Sequence, residues 1–314
     1  MTITAERAPA GAAPASPAPR RRGRFAGYPF VAPALVVVLA IMSYPFVYSV
    51  YLSFQSTPSY TTQTHFGGLV NYLAILHSQT FIQALENTVT WTLASTILGV
   101  LLGLGAALLV QQLRWLRGPV RAALMLPYIV GYVVASYAWL WLLQGEYGLV
   151  NVGLLSWHLT SQPVSFLSSL TWAMPSVILA NIWKTFPFAM IMLLAGLQGI
   201  PSEPVLAARL DRASHWRIFW EVKMPYLRRV IVVTTMLMAF QNFNTFTIPY
   251  IMTSGGPLNH TEIVSNYIYD TAFTNLNFGL ASAGSVIVII ILMIFAVFYI
   301  RSLGREQTPE KGMV

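Results

Sequence analysis

The sequence predicts an all-α, polytopic membrane protein with six transmembrane helices. Its composition is the first reason: 56% of the 314 residues are hydrophobic, and only 9% are charged. The mean hydropathy is +0.61. Because soluble domains carry about 25% charged residues, a chain this poor in charge favours a bilayer environment. The lengths of the apolar segments and the distribution of basic residues are the second and third reasons.

Six apolar segments are long enough to cross a bilayer, since about 20 apolar residues span about 30 Å of hydrocarbon. They lie at approximately 28–54, 86–111, 120–143, 170–198, 229–252 and 280–301. The fourth segment is the least uniform, because it contains Pro175, Lys184 and Pro187. The first is too long and begins too late in the chain for a signal peptide.

The basic residues fall on one side of this six-span arrangement. Of the 18 Lys and Arg residues, 17 precede span 1, follow span 6, or lie between spans 2 and 3 or spans 4 and 5. The loops 55–85, 144–169 and 253–279 contain none. Since cytoplasmic loops carry the excess of Lys and Arg, both termini are expected in the cytoplasm. The same placement accounts for the net charge of +8 without nucleic acid.

The transmembrane domain is expected to cover residues 28–302. Residues 1–27 are rich in Ala and Pro and end in a basic cluster, which predicts a disordered cytoplasmic tail. Residues 303–314 are expected to form a second, short cytoplasmic tail. The chain contains no cysteine, which excludes disulfides, thiol catalysis and Cys-ligated metals.

A charged segment, "EPVLAARLDRASHWRIFWEVKMP", occupies 203–225 between spans 4 and 5. It predicts two short helices, 203–210 and 215–223, with Ser214 as the N-cap of the second and Pro225 as its end. The second helix is amphipathic at helical spacing. From the residues alone, this hairpin is either an interfacial helix on the cytoplasmic leaflet or a docking element for a cytoplasmic partner.

The hairpin resembles the cytoplasmic "EAA" loop in permease subunits of bacterial ABC importers. The family pattern is close to E-A-A-x-x-D-G-A, followed by a hydrophobic helix and L-P. The matching residues are Ala207, Ala208, Asp211, Ala213, Trp216, Phe219 and Pro225. Leu206 and Arg212 depart from the pattern, since they stand where it has Glu and Gly. The resemblance implies that the hairpin inserts into a cleft of an ATPase subunit and couples it to the membrane domain.

Further segments extend the resemblance over about 25–302 and narrow it to the carbohydrate branch of the binding-protein-dependent transport family. They include "FGGLVNY", "LPYIV", "EYGLVN", "WKTFPF" and "TSGGPLNHTEIVSNYIY". The chain is similar to permeases of the maltose, trehalose and glycerol-phosphate importers, which have the type I permease fold. The resemblance implies a bacterial plasma-membrane location, a second permease, favoured to be a paralogue, and a cytoplasmic ATPase dimer. It also implies an extracytoplasmic solute-binding protein.

The resemblance implies a transport subunit rather than an enzyme. The sequence lacks the phosphate-binding pattern G-x-x-x-x-G-K-[ST], so ATP and Mg are expected to bind the partner ATPase. No cofactor is expected in this chain. No two histidines are spaced as metal ligands, so no metal site is expected either.

Lys184 in span 4 is the first candidate for the substrate pathway, since a charge inside a membrane span is costly and usually faces a bundle interior or pathway. The alternatives are a structural ion pair or snorkelling to the interface. The nearby Pro187 predicts a kink that frees backbone carbonyl groups close to Lys184.

Span 5 supplies the other pathway candidates, Asn242, Asn244, Thr247 and Tyr250. Amides bind sugar hydroxyl groups and aromatic rings contact the apolar faces of sugars, so this combination favours a carbohydrate pathway. The alternative is hydrogen bonding between spans that only stabilises the bundle. By resemblance, Gly255, Gly256 and Pro257 in the loop after span 5 contact the binding protein; otherwise the loop is a simple connector.

Other classes of membrane protein fit the sequence less well. A secondary transporter or channel is the alternative, but the chain shows no inverted hydropathy repeat and no paired intramembrane carboxylates. An intramembrane enzyme would need a nucleophile and a base, and the sequence has neither G-x-S-x-G nor H-E-x-x-H.

Overall fold

The computed structural model describes residues 28–56, 65–113 and 115–305, and it confirms an all-α membrane fold. The predicted N-terminal tail lies outside these residues. The last helix continues to Arg305, so the predicted C-terminal tail is described only in part. The first helix up to Tyr48 belongs to a unit of its own. The chain from Ser49 onward forms a second, compact unit.

Thirteen α-helices are present in the described residues, together with two π-helical turns and one two-stranded ribbon. The helices are α1 (Tyr28–Ser53), α2 (Val70–Leu76), α3 (Gln79–Gln112), α4 (Arg117–Ile129), α5 (Tyr132–Leu142), α6 (Leu149–Ser156), α7 (Ala173–Gln198), α8 (Ser202–Leu210), α9 (His215–Arg217), α10 (Met224–Phe243), α11 (Thr247–Thr253), α12 (Val264–Tyr269) and α13 (Phe278–Arg305). The π-helical turns are Ile218–Lys223 and Asp270–Thr274. Strands β1 (Gln55–Ser56) and β2 (His65–Phe66) pair antiparallel.

Four of the predicted spans are continuous helices, within α1, α3, α7 and α13. The other two are broken, a feature that apolar length alone does not show. The α4–α5 pair bends by 95°, and the segment His215–Phe243 bends by 46° against α11. The structure therefore has six spans if each bent pair counts as one.

Local sequence explains both breaks. Val130 and Gly131 are extended between α4 and α5, and glycine is a poor helix former. In span 5, Pro249 lies in the first turn of α11, where its missing N–H needs no helical acceptor. A continuous helix would bring its ring against the carbonyl group of Thr245, so the helix ends before that point.

The core of the compact unit is the packing of α3 against α7. Gly103 on α3 allows the two backbones to approach closely, because a Cβ atom there would lie 2.5 Å from the Ala189 Cβ and 2.9 Å from the Met190 nitrogen. Small residues serve this purpose at helix contacts within membranes. Buried apolar residues such as Val110 and Leu193 fill the remaining space.

The hairpin between spans 4 and 5 has the predicted two-helix form with one correction. Helix α8 ends at Leu210, and the Ser214 hydroxyl accepts a hydrogen bond from the Arg217 amide at 3.3 Å, which confirms the N-cap. Pro225 does not end the second helix, because the π-helical turn leads directly into α10. Pro225 lies in the first turn of α10, a position that tolerates proline.

Candidate functional site

A cavity of about 480 Å³ lies at the break in span 5. Amide, hydroxyl and aromatic side chains surround it. Its lining residues are Tyr132, Phe240, Gln241, Asn244, Thr245, Phe246 and Thr247. The structure thus brings the predicted Asn244 and Thr247 to one cavity, together with Tyr132 from the other broken span. Tyr132 is not predictable from the sequence, because nothing local indicates that α5 and α11 are neighbours.

The end of α10 determines how the polar groups are held at this cavity. Carbonyl groups in the last turn of a helix are open to side-chain donors, and the Phe240 carbonyl oxygen also accepts from the Asn244 backbone amide at 3.3 Å. The Asn244 Nδ2 donates to the Phe240 carbonyl oxygen at 2.9 Å, and the Thr245 hydroxyl donates to the Gln241 carbonyl oxygen at 3.0 Å. Both side chains therefore have fixed positions, with Asn244 exposed and Thr245 buried.

Lys184 is buried beside the cavity rather than facing it, with 4% of its surface exposed. Its Nζ donates to the Tyr128 carbonyl oxygen at 2.8 Å. The same Nζ lies 5.1 Å from the ring centre of Tyr128 and 4.7 Å from that of Tyr132, distances typical of cation–π contacts. Lys184 thus supports the cavity through Tyr132. Its partner is neither a carboxylate nor the membrane interface, which corrects both alternatives from the sequence.

Pro187 lies inside α7, which runs from Ala173 to Gln198, and the kink expected there stays a prediction. Lys184 does not bind a carbonyl group of its own helix. The carbonyl that it binds belongs to Tyr128 near the end of α4. The 95° bend removes the helical amide that would otherwise donate to this oxygen.

Asn242 lies in the bundle interior and does not line the cavity. It is fully buried, its Oδ1 accepts from Asn181 Nδ2 at 2.9 Å, and its Nδ2 donates to the Thr96 hydroxyl at 3.0 Å. The Trp91 indole also donates to the Asn242 carbonyl oxygen at 3.0 Å. These bonds join α3, α7 and α10. Asn242 therefore fits the alternative of interhelical hydrogen bonding, and its grouping with Asn244 and Thr247 is corrected.

Tyr250 belongs to a row of aromatic rings that begins at the cavity. Its ring stacks on Phe246 at 4.6 Å and meets Tyr269 at 5.1 Å. Tyr269 is 5.0 Å from Phe273, which is 6.0 Å from Phe278. The last three rings were not predicted, because they come from α12, the second π-helical turn and α13. The sequence carries no signal that joins these elements to α11.

The hairpin presents an aromatic face to its surroundings. Trp216 is 71% exposed and Trp220 is 48% exposed, and the two rings lie 5.6 Å apart, with Phe219 5.3 Å from Trp220. Of the other matched residues, Ala207 and Asp211 are exposed, and Ala208 and Ala213 are half-buried. The Arg217 Nε donates to Glu221 Oε2 at 2.8 Å, an ion pair between residues one helical turn apart. Exposed aromatic clusters of this kind commonly mark an interaction surface.

The backbone conformation at Arg212 explains why the family pattern has glycine at this position. Its φ angle is +56°, in the left-handed region where non-glycine residues are uncommon. The turn is closed by hydrogen bonds from the Arg212 amide to the Arg209 carbonyl and from the Ala213 amide to the Ala208 carbonyl. A glycine at this position would adopt the same conformation without strain, which accounts for the Gly in the pattern.

In the loop after α11, the exposed residues follow the three that were predicted to contact the binding protein. Gly255 is buried with φ of +79°, and Gly256 and Pro257 are half-buried. The exposed tip is Leu258–His260. Gly255–Pro257 therefore shape the turn, and the residues that follow are the exposed ones. Among the described residues, no three potential metal ligands lie together.

Two broken spans around a cavity lined by aromatic, amide and hydroxyl groups, together with continuous apolar helices, define a membrane-embedded transport subunit. The comparisons agree with this class. Residues 99–305 match the family described as the inner membrane component of binding-protein-dependent transport systems. The chain belongs to this family, and it is a permease subunit.

Relatives match almost the whole chain. A probable ABC transporter permease of Brucella suis is 31% identical over 89% of this chain and 97% of its own. The trehalose/maltose permease of Thermococcus litoralis is 31% identical, covering 89% and 93%. The trehalose permease of Mycobacterium tuberculosis is 35% identical, covering 91% of each chain.

A solved structure has the same fold. It is a bacterial alginate ABC transporter in complex with an alginate pentasaccharide-bound periplasmic protein. One of its chains matches with a TM-score of 0.74 at 21% identity, and the match covers 88% of this chain and 92% of that one. The predictions of the family, of the all-α membrane fold and of the permease class are thereby confirmed.

Proposed function

We propose that this chain is one permease half of an ATP-driven importer for a sugar or a sugar-like solute. The names of its relatives support this substrate class, since two of them are permeases for trehalose or for trehalose and maltose. The neighbouring solved transporter is named for a polysaccharide.

The observation that carries the substrate class is the chemistry of the cavity at the break in span 5. Gln241 and Asn244 bring amides, which both donate and accept hydrogen bonds, and Thr247 adds a hydroxyl. Phe246 and Tyr132 bring aromatic surface to the same space. Sugar hydroxyl groups and the apolar faces of sugar rings match this combination. The cavity residues carry no formal charge, which also favours a neutral solute. A neutral solute is also easier to release again from such a site.

The importer requires partners that hydrolyse ATP and deliver the solute. We place the exposed aromatic face of the hairpin in a cleft of a cytoplasmic ATPase dimer, which binds ATP and Mg. This chain itself then needs no cofactor and has no catalytic role. A second permease, by resemblance a paralogue, completes the pathway. An extracytoplasmic solute-binding protein contacts the loop that carries Leu258–His260.

We propose that both termini lie in the cytoplasm of a bacterial plasma membrane, as the distribution of Lys and Arg indicates. Single cysteines report this directly, because the chain has none of its own. Cysteines at Ser161 and Asn259 should react with an impermeant thiol reagent added outside the cell. A cysteine at Ser214 should react only after the membrane is opened. Labelling of position 214 from outside would contradict this orientation.

Sugar uptake in a strain that lacks this subunit tests the proposed function. Radiolabelled trehalose, maltose, glycerol phosphate and a panel of other sugars are supplied with and without the restored gene. We expect uptake of at least one sugar to return only with the gene, and the ATPase to co-purify with the chain. If every sugar enters equally well without the gene, the proposed substrate class is wrong.

A further inference from the structure

A second cavity, of about 390 Å³, lies between the start of α3, the loop after α11 and the segment before α13. Its lining is polar and includes the carboxylates of Glu262 and Asp270. Hydroxyl and amide groups of Ser78, Thr80, Asn275 and Asn277 surround them. It is separate from the cavity at the break in span 5, with which it shares no lining residue.

Glu262 is the unusual group in this cavity. Only 8% of its surface is exposed, and its carboxylate forms no hydrogen bond or ion pair within the described part of the chain. The neighbouring Asn87 donates instead to the Glu262 backbone oxygen at 2.9 Å. Burial, and to a smaller extent Asp270, raise the pKa of Glu262 to about 7. An ionised carboxylate that is shielded from water without a partner is costly, so a cation that reached Glu262 through the cavity would be bound favourably.

The loops on this side of the chain offer no Lys or Arg to Glu262. The loops 55–85, 144–169 and 253–279 contain neither Lys nor Arg, and this count includes the residues outside the described ranges. Asp270 has only a neutral donor, the Thr274 hydroxyl at 3.2 Å. Two acidic side chains thus face one cavity on the side of the bundle that lacks basic residues. A Lys or Arg partner for these carboxylates would have to come from another molecule.

We propose that this cavity accepts one Lys or Arg side chain of the solute-binding protein when that protein docks. This inference rests on the proposed function, which supplies the docked partner. The cavity is adjacent to the exposed tip Leu258–His260 and is itself lined by Asn259. A protein seated on the tip would therefore contact a residue that also lines the cavity.

The geometry favours an organic cation over a metal ion. The described residues contain no cluster of three potential metal ligands, and the cavity volume far exceeds that of one ion. A guanidinium group has five N–H donors, so it uses two carboxylates and the surrounding hydroxyl and amide oxygens together. Charge-assisted hydrogen bonds of this kind are about twice as strong as neutral ones.

Thiol reagents of opposite charge test the electrostatics of the cavity. Asn275→Cys places one thiol in its lining, and Ser161→Cys is the control in a different loop without Lys or Arg. The measured quantity is the rate of reaction with the trimethylammonium methanethiosulfonate divided by the rate with the sulfonate reagent. We expect this ratio to be about tenfold higher at position 275 than at position 161. This preference should disappear in the Glu262→Gln background. Equal reagent ratios at both positions would overturn the proposal.

Docking identifies the source of the cation. A photoactivatable crosslinker on Asn259→Cys first captures the solute-binding protein in cells, and the purified protein is then titrated onto the assembled transporter in nanodiscs. We expect Glu262→Gln to weaken docking at least about tenfold, since truncating one partner of a buried charge pair has effects of that size. Glu146→Gln, an exposed acid in another loop, should leave docking unchanged. Thermal unfolding of both variants controls for folding.

The outcomes separate this inference from the proposed function. If the wild-type transporter docks the binding protein and Glu262→Gln docks it equally well, only this inference is wrong. If EDTA abolishes wild-type docking and calcium restores it, the cavity holds a metal ion and the proposal is overturned. If no solute-binding protein docks on the wild-type transporter, the proposed function is itself contradicted.

Discussion

The Lys184 Nζ donates a 2.8 Å hydrogen bond to the Tyr128 carbonyl oxygen and thereby fastens α7 to the end of α4. This bond satisfies a backbone group that the break in span 3 leaves without a helical donor. It also holds the ammonium group over Tyr132, whose ring lines the cavity at the break in span 5. The two broken spans are therefore linked through one buried lysine.

Replacing Lys184 with Met should destabilise the protein rather than alter its selectivity. Met fills a similar volume but leaves the Tyr128 carbonyl group unpaired, a change that costs about 1–3 kcal/mol. Thermal unfolding in detergent measures the loss. Lys223→Met is the control, because the Lys223 Nζ lies 3.4 Å from Gln111 Oε1 at a half-exposed position. A Lys184→Met variant that unfolds like the wild type but transports poorly would place Lys184 in the pathway.

Asn242 and Asn244 form a matched pair that separates bundle stability from transport. Asn244→Leu removes a cavity amide, so we expect uptake to fall about threefold to tenfold, equivalent to about 0.5–1.5 kcal/mol, while assembly is unchanged. Asn242→Leu should instead lower the unfolding temperature, because Asn181 and Thr96 lose their partner. Quantifying assembled complexes and uptake per complex distinguishes the two. Normal uptake per assembled Asn244→Leu complex would contradict its role in the pathway.

The aromatic face of the hairpin should be required for coupling to the ATPase. Changing Trp216 and Phe219 together to Ser removes apolar surface, so we expect weaker assembly or ATP hydrolysis without transport. Leu206→Glu is the control, since Leu206 is 53% exposed and Glu restores the family pattern. Co-purification of the ATPase and the ratio of uptake to ATP hydrolysis measure the effect. A double variant that assembles and transports normally would show that the hairpin has no coupling role.

Arg212→Gly should stabilise the turn between α8 and α9. The left-handed conformation at position 212 costs a non-glycine residue about 1–2 kcal/mol, and glycine avoids this strain. Glycine also loses more entropy on folding, so we expect a net gain below about 1 kcal/mol. Arg212→Val should destabilise the same turn. Proteolysis rates of the hairpin in the purified protein report both changes, and faster cleavage of the glycine variant would contradict the prediction.

Glu262 should make stability depend on pH in a defined direction. Its pKa is raised from an ordinary 4.5 to about 7 in the folded protein, so the folded state holds the proton more tightly than the unfolded state. Its contribution to stability is therefore greatest below about pH 4.5 and is lost as the pH rises through about 7. Tyr267 and Asp270 are the other titratable groups of this cavity. The unfolding temperature of Glu262→Gln should not show this decline as the pH rises. If the unfolding temperatures of variant and wild type fall in parallel with pH, the prediction is wrong.

Much of the architecture follows from patterns that the chain carries locally. Span positions follow from apolar length, and the hairpin follows from amphipathic spacing, with Ser214 as its cap. The site was predicted only in part, because span 5 concentrates amides without showing which face each one takes. Asn242 and Asn244 are two residues apart, about 200° around a helix, so one enters the bundle and the other faces the cavity.

Other features depend on contacts between distant segments. The sequence places Lys184 in a membrane span, but its partner Tyr128 belongs to a helix end created by the bend of span 3. The aromatic row that starts at Phe246 draws on α11, α12 and α13, and no local pattern joins these elements. Glu262 has no sequence signal of its burial, because loop acids are usually solvated.

The energy source of transport tests the central claim most directly. The chain is reconstituted in proteoliposomes with its second permease, the ATPase and the solute-binding protein, and accumulation of a labelled sugar is measured. We predict accumulation only when ATP is hydrolysed on the cytoplasmic side and the binding protein is present on the other. Accumulation that proceeds without ATP and follows an imposed proton or sodium gradient would instead identify a secondary transporter and contradict the account.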